Sequence, residues 1–126
     1  MADWLSFWAA NCGLDEEATF AIRLCAEEFV TNLVMHGLKD DPAEHTIQVV
    51  ADTEPDRARI VIFDDGVPFN AAIAIDPGRE GTIELATVGG RGIRLIRAYA
   101  ASVAWDRIDN RNQTTFTFKT SKALDK

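Results

Sequence analysis

Ile22, Ala26, Phe29 and Leu33 recur every three to four residues, the spacing of one apolar stripe on an α-helix. The segment that carries them opens after Asp15, whose carboxylate can cap a first turn. Glu16 and Glu17 follow, where the helix dipole favours negative charge. The helix is expected to run to about His36, with Gly37 ending it. A helix that is apolar on one side must bury that side against another element, so this stripe demands a second layer.

The rest of the chain supplies the layer. "DWLSFWAANCG" predicts a shorter helix before it, with Asp3 as N-cap, Leu5, Trp8, Ala9 and Cys12 facing inward, and Gly13 as the stop. Beyond the loop "DDPAEH" the period changes to two. "TIQVVADT" alternates Ile47, Val49 and Ala51, as a strand with one buried face does. "EPD" is a turn, and "RARIVIFDDG" is a strand apolar enough at its end to be central. From Gly66 to Gly90 the chain is irregular, with Pro68 and Pro77, a length that compact domains reserve for function or movement. "GIRLIRAYAAS" predicts a helix with Ile93, Ile96 and Ala100 on one side. "VAWDRID" and "TTFTFKTS" flank "NRNQ" as a closing hairpin, and the residues after Ser121 form a polar tail. The expected fold is one domain over 1–126. Its class is α+β: a two-layer sandwich, helices packed on one face of a mainly antiparallel sheet.

Charge and composition exclude several functions. The net charge is −7, without the basic footprint that nonspecific nucleic-acid binding needs, so no direct nucleic-acid partner is expected. No apolar run approaches the roughly 20 residues of a membrane span, and Met1 is not followed by a secretory signal. Cys12 and Cys25 fall among apolar neighbours in the two helices and read as buried thiols, with neither zinc spacing nor a disulfide framework. A reducing cytoplasm is the expected location.

Three stretches carry candidate chemistry. Glu28, Asn32 and His36 stand four residues apart along the edge of the long helix's apolar stripe. Such a line is either a solvated edge or the rim of a pocket between helix and sheet. An Asn carbonyl oxygen suits Mg²⁺ where phosphates supply the charge. A Glu one turn back could accept a proton from a hydroxyl. His36 reads first as a residue of the helix end. In "VIFDDGVPFN" an acidic pair ends a strand, and Gly66 lets a ring approach the backbone. Asp64 or Asp65 could accept from an exocyclic amine such as that of adenine; Asp-Gly is also an ordinary turn pair. In "VGGRGIRLIRAYA", Gly89, Gly90 and Gly92 precede a helix start, which attracts phosphate, and Arg91, Arg94 and Arg97 add local positive charge. It is neither a Walker A loop nor a dinucleotide fingerprint.

In this order, Glu-x-x-x-Asn, Asp-x-Gly and Gly-x-Gly resemble the Bergerat-type ATPases, the superfamily of DNA gyrase and histidine kinases. "EEFVTNLVMHG…FDDGVPFN…GGRGIRLIR" is most similar to the anti-sigma factor serine/threonine kinases, from about Asp3 to Phe118. The resemblance implies ATP (or ADP) with Mg²⁺ as cofactors. It makes Glu28 the catalytic base and Asn32 the Mg²⁺ ligand. Asp64 would hold the adenine amino group, with Gly66 beneath the ring. Gly90 and Gly92 would line the phosphates at a mobile lid, and Thr115 would sit near adenine. The implied partners are a sigma factor and its antagonist protein, phosphorylated on Ser or Thr.

Departures qualify the match. Pro68 replaces the second glycine after the adenine Asp, and Arg91 sits between the lid glycines. Relatives begin with a β-strand where this chain starts at the first helix, so either the sheet lacks an edge strand or the start is shortened. That region helps pair subunits in relatives, which leaves a homodimer open. Two other readings stand beside the kinase. One is a catalytically silent module whose nucleotide governs a protein surface. The other is a detached histidine-kinase ATP-binding domain.

Overall fold

The computed structural model of the chain describes residues 1–37, 45–71, 96 and 99–120. Gly90, Gly92, the arginines of 91–97 and the tail from 121 lie outside the described residues. Helix α1 spans Ala2–Asn11 and α2 spans Glu16–Asn32, followed by a π-helical turn, Leu33–Gly37. Four strands follow: β1 (Ile47–Glu54), β2 (Arg57–Asp64), β3 (Ser102–Ile108) and β4 (Arg111–Lys119). They form one antiparallel sheet in the order β1-β2-β4-β3. The two helices cover one face of it, the expected α+β sandwich.

Local chemistry explains most boundaries. The Asp15 carboxylate accepts from the Ala18 N–H at 2.8 Å, capping α2 as expected. Asp3 does not cap α1. That helix starts two residues earlier, with the Met1 carbonyl accepting from Leu5, and Asp3 lies in the first turn, where the dipole favours it. At the other end Gly13 adopts φ 77°. Its N–H donates to the Ala10 carbonyl and that of Leu14 to the Ala9 carbonyl, a Schellman closure. Of the expected helix over 92–102, Ile96 and Tyr99 are helical, and the Ala100 N–H donates to the Ile96 carbonyl at 2.9 Å. Ser102 already belongs to β3. The last hairpin is tighter than expected. Asp109 and Asn110, at φ 53° and 63°, make a two-residue turn, and Arg111–Gln113 of "NRNQ" are already strand. Both turn residues are types that tolerate the left-handed region.

The core sits between the layers. Ile22, Ala26, Phe29 and Leu33 are all buried, joined by Leu5 and Ala9 from α1 and by Ala18, Ala21 and Cys25 from α2. From the sheet come Ala58, Ile60 and Ile62 on β2, and Phe116 and Phe118 on β4. The Phe29 ring meets the Phe116 ring edge to face, with centroids 5.1 Å apart. Ile47, Val49 and Ala51 of β1, at the sheet edge, pack against this core half-buried. Cys25 is buried, whereas Cys12 is half-buried.

Candidate functional site

Strand alternation decides which polar groups enter the interlayer space. On β2 the buried positions are 58, 60, 62 and 64; on β4 they are 112, 114, 116 and 118. The same parity that buries Ile60 and Phe116 therefore carries Asp64, Asn112 and Thr114 inward. Their exposures are 2%, 2% and 1%, and they form the polar end of an otherwise apolar floor. Asp64 pairs with Asn112 across the ladder, and Ile62 pairs with Thr114.

A buried carboxylate must find donors. Asp64 Oδ1 accepts from the Gly66 N–H at 2.9 Å and from Asn112 Nδ2 at 3.0 Å. Among the described residues Oδ2 receives no hydrogen bond, so this oxygen is the one left for a ligand. On the same face, the Thr114 hydroxyl is buried without a hydrogen-bond partner among the described residues. An orphaned hydroxyl one register step from a half-satisfied carboxylate fits an adenine edge, which offers both a donor amine and ring-nitrogen acceptors.

The segment after Asp64 is held in place. Gly66 is buried, and its carbonyl accepts from Arg107 Nη1 at 2.8 Å. The Val67 carbonyl accepts from Asn112 Nδ2 at 2.8 Å, and the Phe69 N–H donates to Asn112 Oδ1 at 3.1 Å. Asp65 turns away from Asp64. Its carboxylate takes His45 Nδ1 at 2.7 Å and the Thr46 N–H at 3.2 Å. The hydrogen bond from His45 holds the Asp65 carboxyl below its usual range. Of the two acidic residues left open by the sequence, Asp64 faces the interlayer space and Asp65 ties down the start of β1.

Glu28 and Asn32 are both half-buried on α2, either side of buried Phe29. The Phe29–Phe116 contact packs this helix against β4, the strand whose inward face carries Thr114 and Asn112. His36 falls in the π-helical turn, beyond the last α-helical residue, Asn32. The Cys25 thiol is pushed up to about 12, first by burial and then by the Glu28 carboxylate one turn on. Among the described residues no group of three or more His, Cys, Asp or Glu could hold a metal. A divalent cation beside Asn32 would thus depend on its carbonyl oxygen together with ligand phosphates. Gly90 and Gly92, expected at the phosphates, lie outside the described residues.

Thr115 is the threonine that the resemblance sets near adenine. It lies opposite Val61 and Ala104, on the sheet face away from Asp64. Thr114 occupies the inward position. The signal was available in "TTFTF": counting back by two from Phe118 and Phe116 reaches Thr114, then Asn112. Asn112 itself was missed, because nothing local marks a strand Asn as the partner of a residue 48 positions earlier.

Comparison with known proteins agrees with this fold. The pattern of the family described as "Histidine kinase-like ATPase domain" matches residues 1–118. The chain is 27% identical over 115 residues to a protein of Bordetella bronchiseptica named serine/threonine-protein kinase BtrW, covering 90% of this chain and 80% of that protein. Among solved structures, the fold resembles the histidine kinase domain of a blue-light activated histidine kinase from Erythrobacter litoralis. The TM-score is 0.56 at 22% identity, covering 86% of this chain and 51% of that one, so the chain spans about half the length of that structure. No helix among the described residues is long and apolar enough to cross a membrane.

Proposed function

We propose that this chain, which belongs to the histidine kinase-like ATPase domain family, is an ATP-binding anti-sigma regulatory factor. In this reading it is a serine/threonine protein kinase that phosphorylates the sigma factor's antagonist protein. The observation that carries the reading is Asp64. It is a buried carboxylate at a strand end, with Oδ1 held by Gly66 and Asn112 and Oδ2 open, beside an orphaned Thr114 hydroxyl. Asp64 accepts the adenine amine, Thr114 meets a ring nitrogen directly or through water, and Gly66 underlies the ring. The name of the Bordetella relative supports the protein-kinase part, and the sequence resemblance supports the anti-sigma part.

Asn32 supplies a neutral oxygen to Mg²⁺, and Gly90 and Gly92 line the phosphates. Mg²⁺, when bound, offsets the charge of the β- and γ-phosphates. Glu28 takes the proton of a Ser or Thr hydroxyl as that oxygen bonds to the γ-phosphorus and the bond to the ADP oxygen breaks. The half-buried position of Glu28 on the helix edge suits this role.

The test uses γ-labelled ATP and the cognate antagonist. The Glu28→Gln variant is expected to bind ATP as the native chain does and to transfer no label. Undiminished transfer by Glu28→Gln removes Glu28 from the mechanism. No label from the native chain, with sigma binding still nucleotide-dependent, leaves a silent nucleotide-gated binding module.

A further inference from the structure

Asn112 uses its whole hydrogen-bonding capacity. A carboxamide has two N–H donors and two acceptor lone pairs. Here Nδ2 donates to Asp64 Oδ1 at 3.0 Å and to the Val67 carbonyl at 2.8 Å. Oδ1 accepts from the Phe69 N–H at 3.1 Å and from Trp105 Nε1 at 2.9 Å. The donors around it face Oδ1 and the acceptors face Nδ2, which fixes the orientation of the amide. Few groups inside a core are satisfied on all four sides, and a complete network of this kind rigidifies what it joins.

The four bonds join three separate parts of the fold. They link the carboxylate at the end of β2, the loop that follows it, and the indole on β3. A fifth tie, Arg107 Nη1 to the Gly66 carbonyl, runs from β3 to the same loop. Asp64 is free to rotate about two side-chain torsions. The Gly66 amide and Asn112 both bind Oδ1, and that common choice determines which oxygen is left over and where it points.

We propose that Asn112 is a positioning residue for nucleotide recognition: it locks Asp64 so that Oδ2 faces the base, and it holds the Gly66–Phe69 loop as one wall of the base pocket. The proposal rests on the reading of Asp64 as the adenine acceptor. Its consequence is selectivity as well as affinity. A carboxylate held in one orientation favours a base with an exocyclic amine, whereas one free to turn favours it less. Serine or alanine at 112 would leave Asp64 Oδ1 with the Gly66 amide alone. Aspartate at 112 would keep the shape and lose both donors.

The experiment measures affinity for ATP and for the 6-unsubstituted purine nucleotide, which lacks the exocyclic amine. It compares the native chain, Asp64→Asn, Asn112→Ala and Asn112→Asp, each with a far-ultraviolet circular dichroism spectrum and a melting curve. Native preference for ATP is expected to be about tenfold or more, from the loss of one charge-assisted hydrogen bond in the analogue. In Asn112→Ala the preference is expected to fall to about threefold or less, while a general packing defect would weaken both nucleotides alike.

Asn112→Asp keeps the proposal testable if the alanine variant does not fold. It sets two carboxyls against each other, which share a proton. With a proton on position 112, a donor to Asp64 Oδ1 is restored; without it, two negative charges oppose each other. ATP affinity in this variant is therefore expected to fall with rising pH more steeply than in the native chain. The native profile subtracts any pH dependence that the two chains share. Native discrimination retained in Asn112→Ala, or parallel pH profiles in Asn112→Asp and the native chain, overturns the proposal. If the native chain itself fails to bind ATP, or Asp64→Asn binds as well as native, the reading of Asp64 fails and the role of Asn112 with it.

Discussion

The Phe29 ring stands edge to face against Phe116, centroids 5.1 Å apart and planes at 72°, and this contact joins the helical layer to the sheet. Both residues are nearly or fully buried. Phe29 lies between Glu28 and Asn32 in sequence, and Phe116 lies two residues beyond Thr114 on the same strand face. The joint that stabilises the core therefore lies between the helix and the strand that carry candidate site residues.

Truncating either ring tests the joint. Phe29→Ala and Phe116→Ala should each cost about 3–5 kcal/mol of stability in chemical denaturation, since each leaves a cavity in a packed core. The double variant should cost less than the sum, by roughly 0.5–1.5 kcal/mol for the lost ring pair. Strict additivity would mean that the two rings stabilise independent regions.

The two cysteines should separate chemically. Burial and Glu28 together push the Cys25 thiol up, so it stays protonated and shielded at neutral pH, while Cys12 is half-buried. A thiol reagent at pH 8 should label Cys12 first and Cys25 only on unfolding. The sign for stability follows from the raised value. In the folded chain Cys25 keeps its proton up to about 12, whereas the unfolded thiol ionises from about 8.5 upward. Stability should therefore fall with rising pH across that interval. Cys25→Ala should flatten the fall, as urea unfolding at pH 8 and pH 10 would show.

At the acid end the relevant pair is Asp65 with His45. The folded carboxyl is depressed, so its contribution is present above the unfolded carboxylate value and lost as pH falls below about 4. Asp65→Asn should lose the part of the acid-induced destabilisation that depends on this carboxyl. The pair is partly exposed, so the effect should shrink in high salt. An unchanged acid limb in Asp65→Asn would place the pH dependence elsewhere.

The closing turn offers a test of backbone strain. Asp109 and Asn110 hold φ 53° and 63°. Asn110→Ala should destabilise by about 1 kcal/mol, whereas Asn110→Gly should be neutral or stabilising. Equal effects of the two substitutions would argue against the left-handed turn.

What could be read from the sequence followed local physics. The α2 stripe, the Asp15 cap, the Gly13 stop and the alternation of β1 and β2 each depend on residues within a few positions of one another, and each appears in the fold. Asp3 failed as a cap because the helix could start two residues sooner without a side-chain cap. Parity in "NQTTFTF" is also local, but which threonine shares a face with Asp64 is fixed by strand pairing, which puts Thr114 there. The Asn112 hub depends on β2, β3 and β4 meeting at one end, a long-range arrangement that no short pattern encodes. Glu28, Asn32 and Asp64 stand out as candidates because their spacing repeats a known order of motifs, not because any one of them is distinctive alone.

The central claim is that a nucleotide base rests on Asp64 between α2 and the sheet, with its Mg²⁺ beside Asn32. Calorimetric titration of ATP, with and without Mg²⁺, into the native chain, Asp64→Ala and Asn32→Ala tests it most directly. The account predicts Mg²⁺-dependent binding by the native chain, no measurable binding by Asp64→Ala, and weakened binding with the Mg²⁺ dependence lost in Asn32→Ala. No heat with a folded native chain, or unchanged binding in Asp64→Ala, would contradict it.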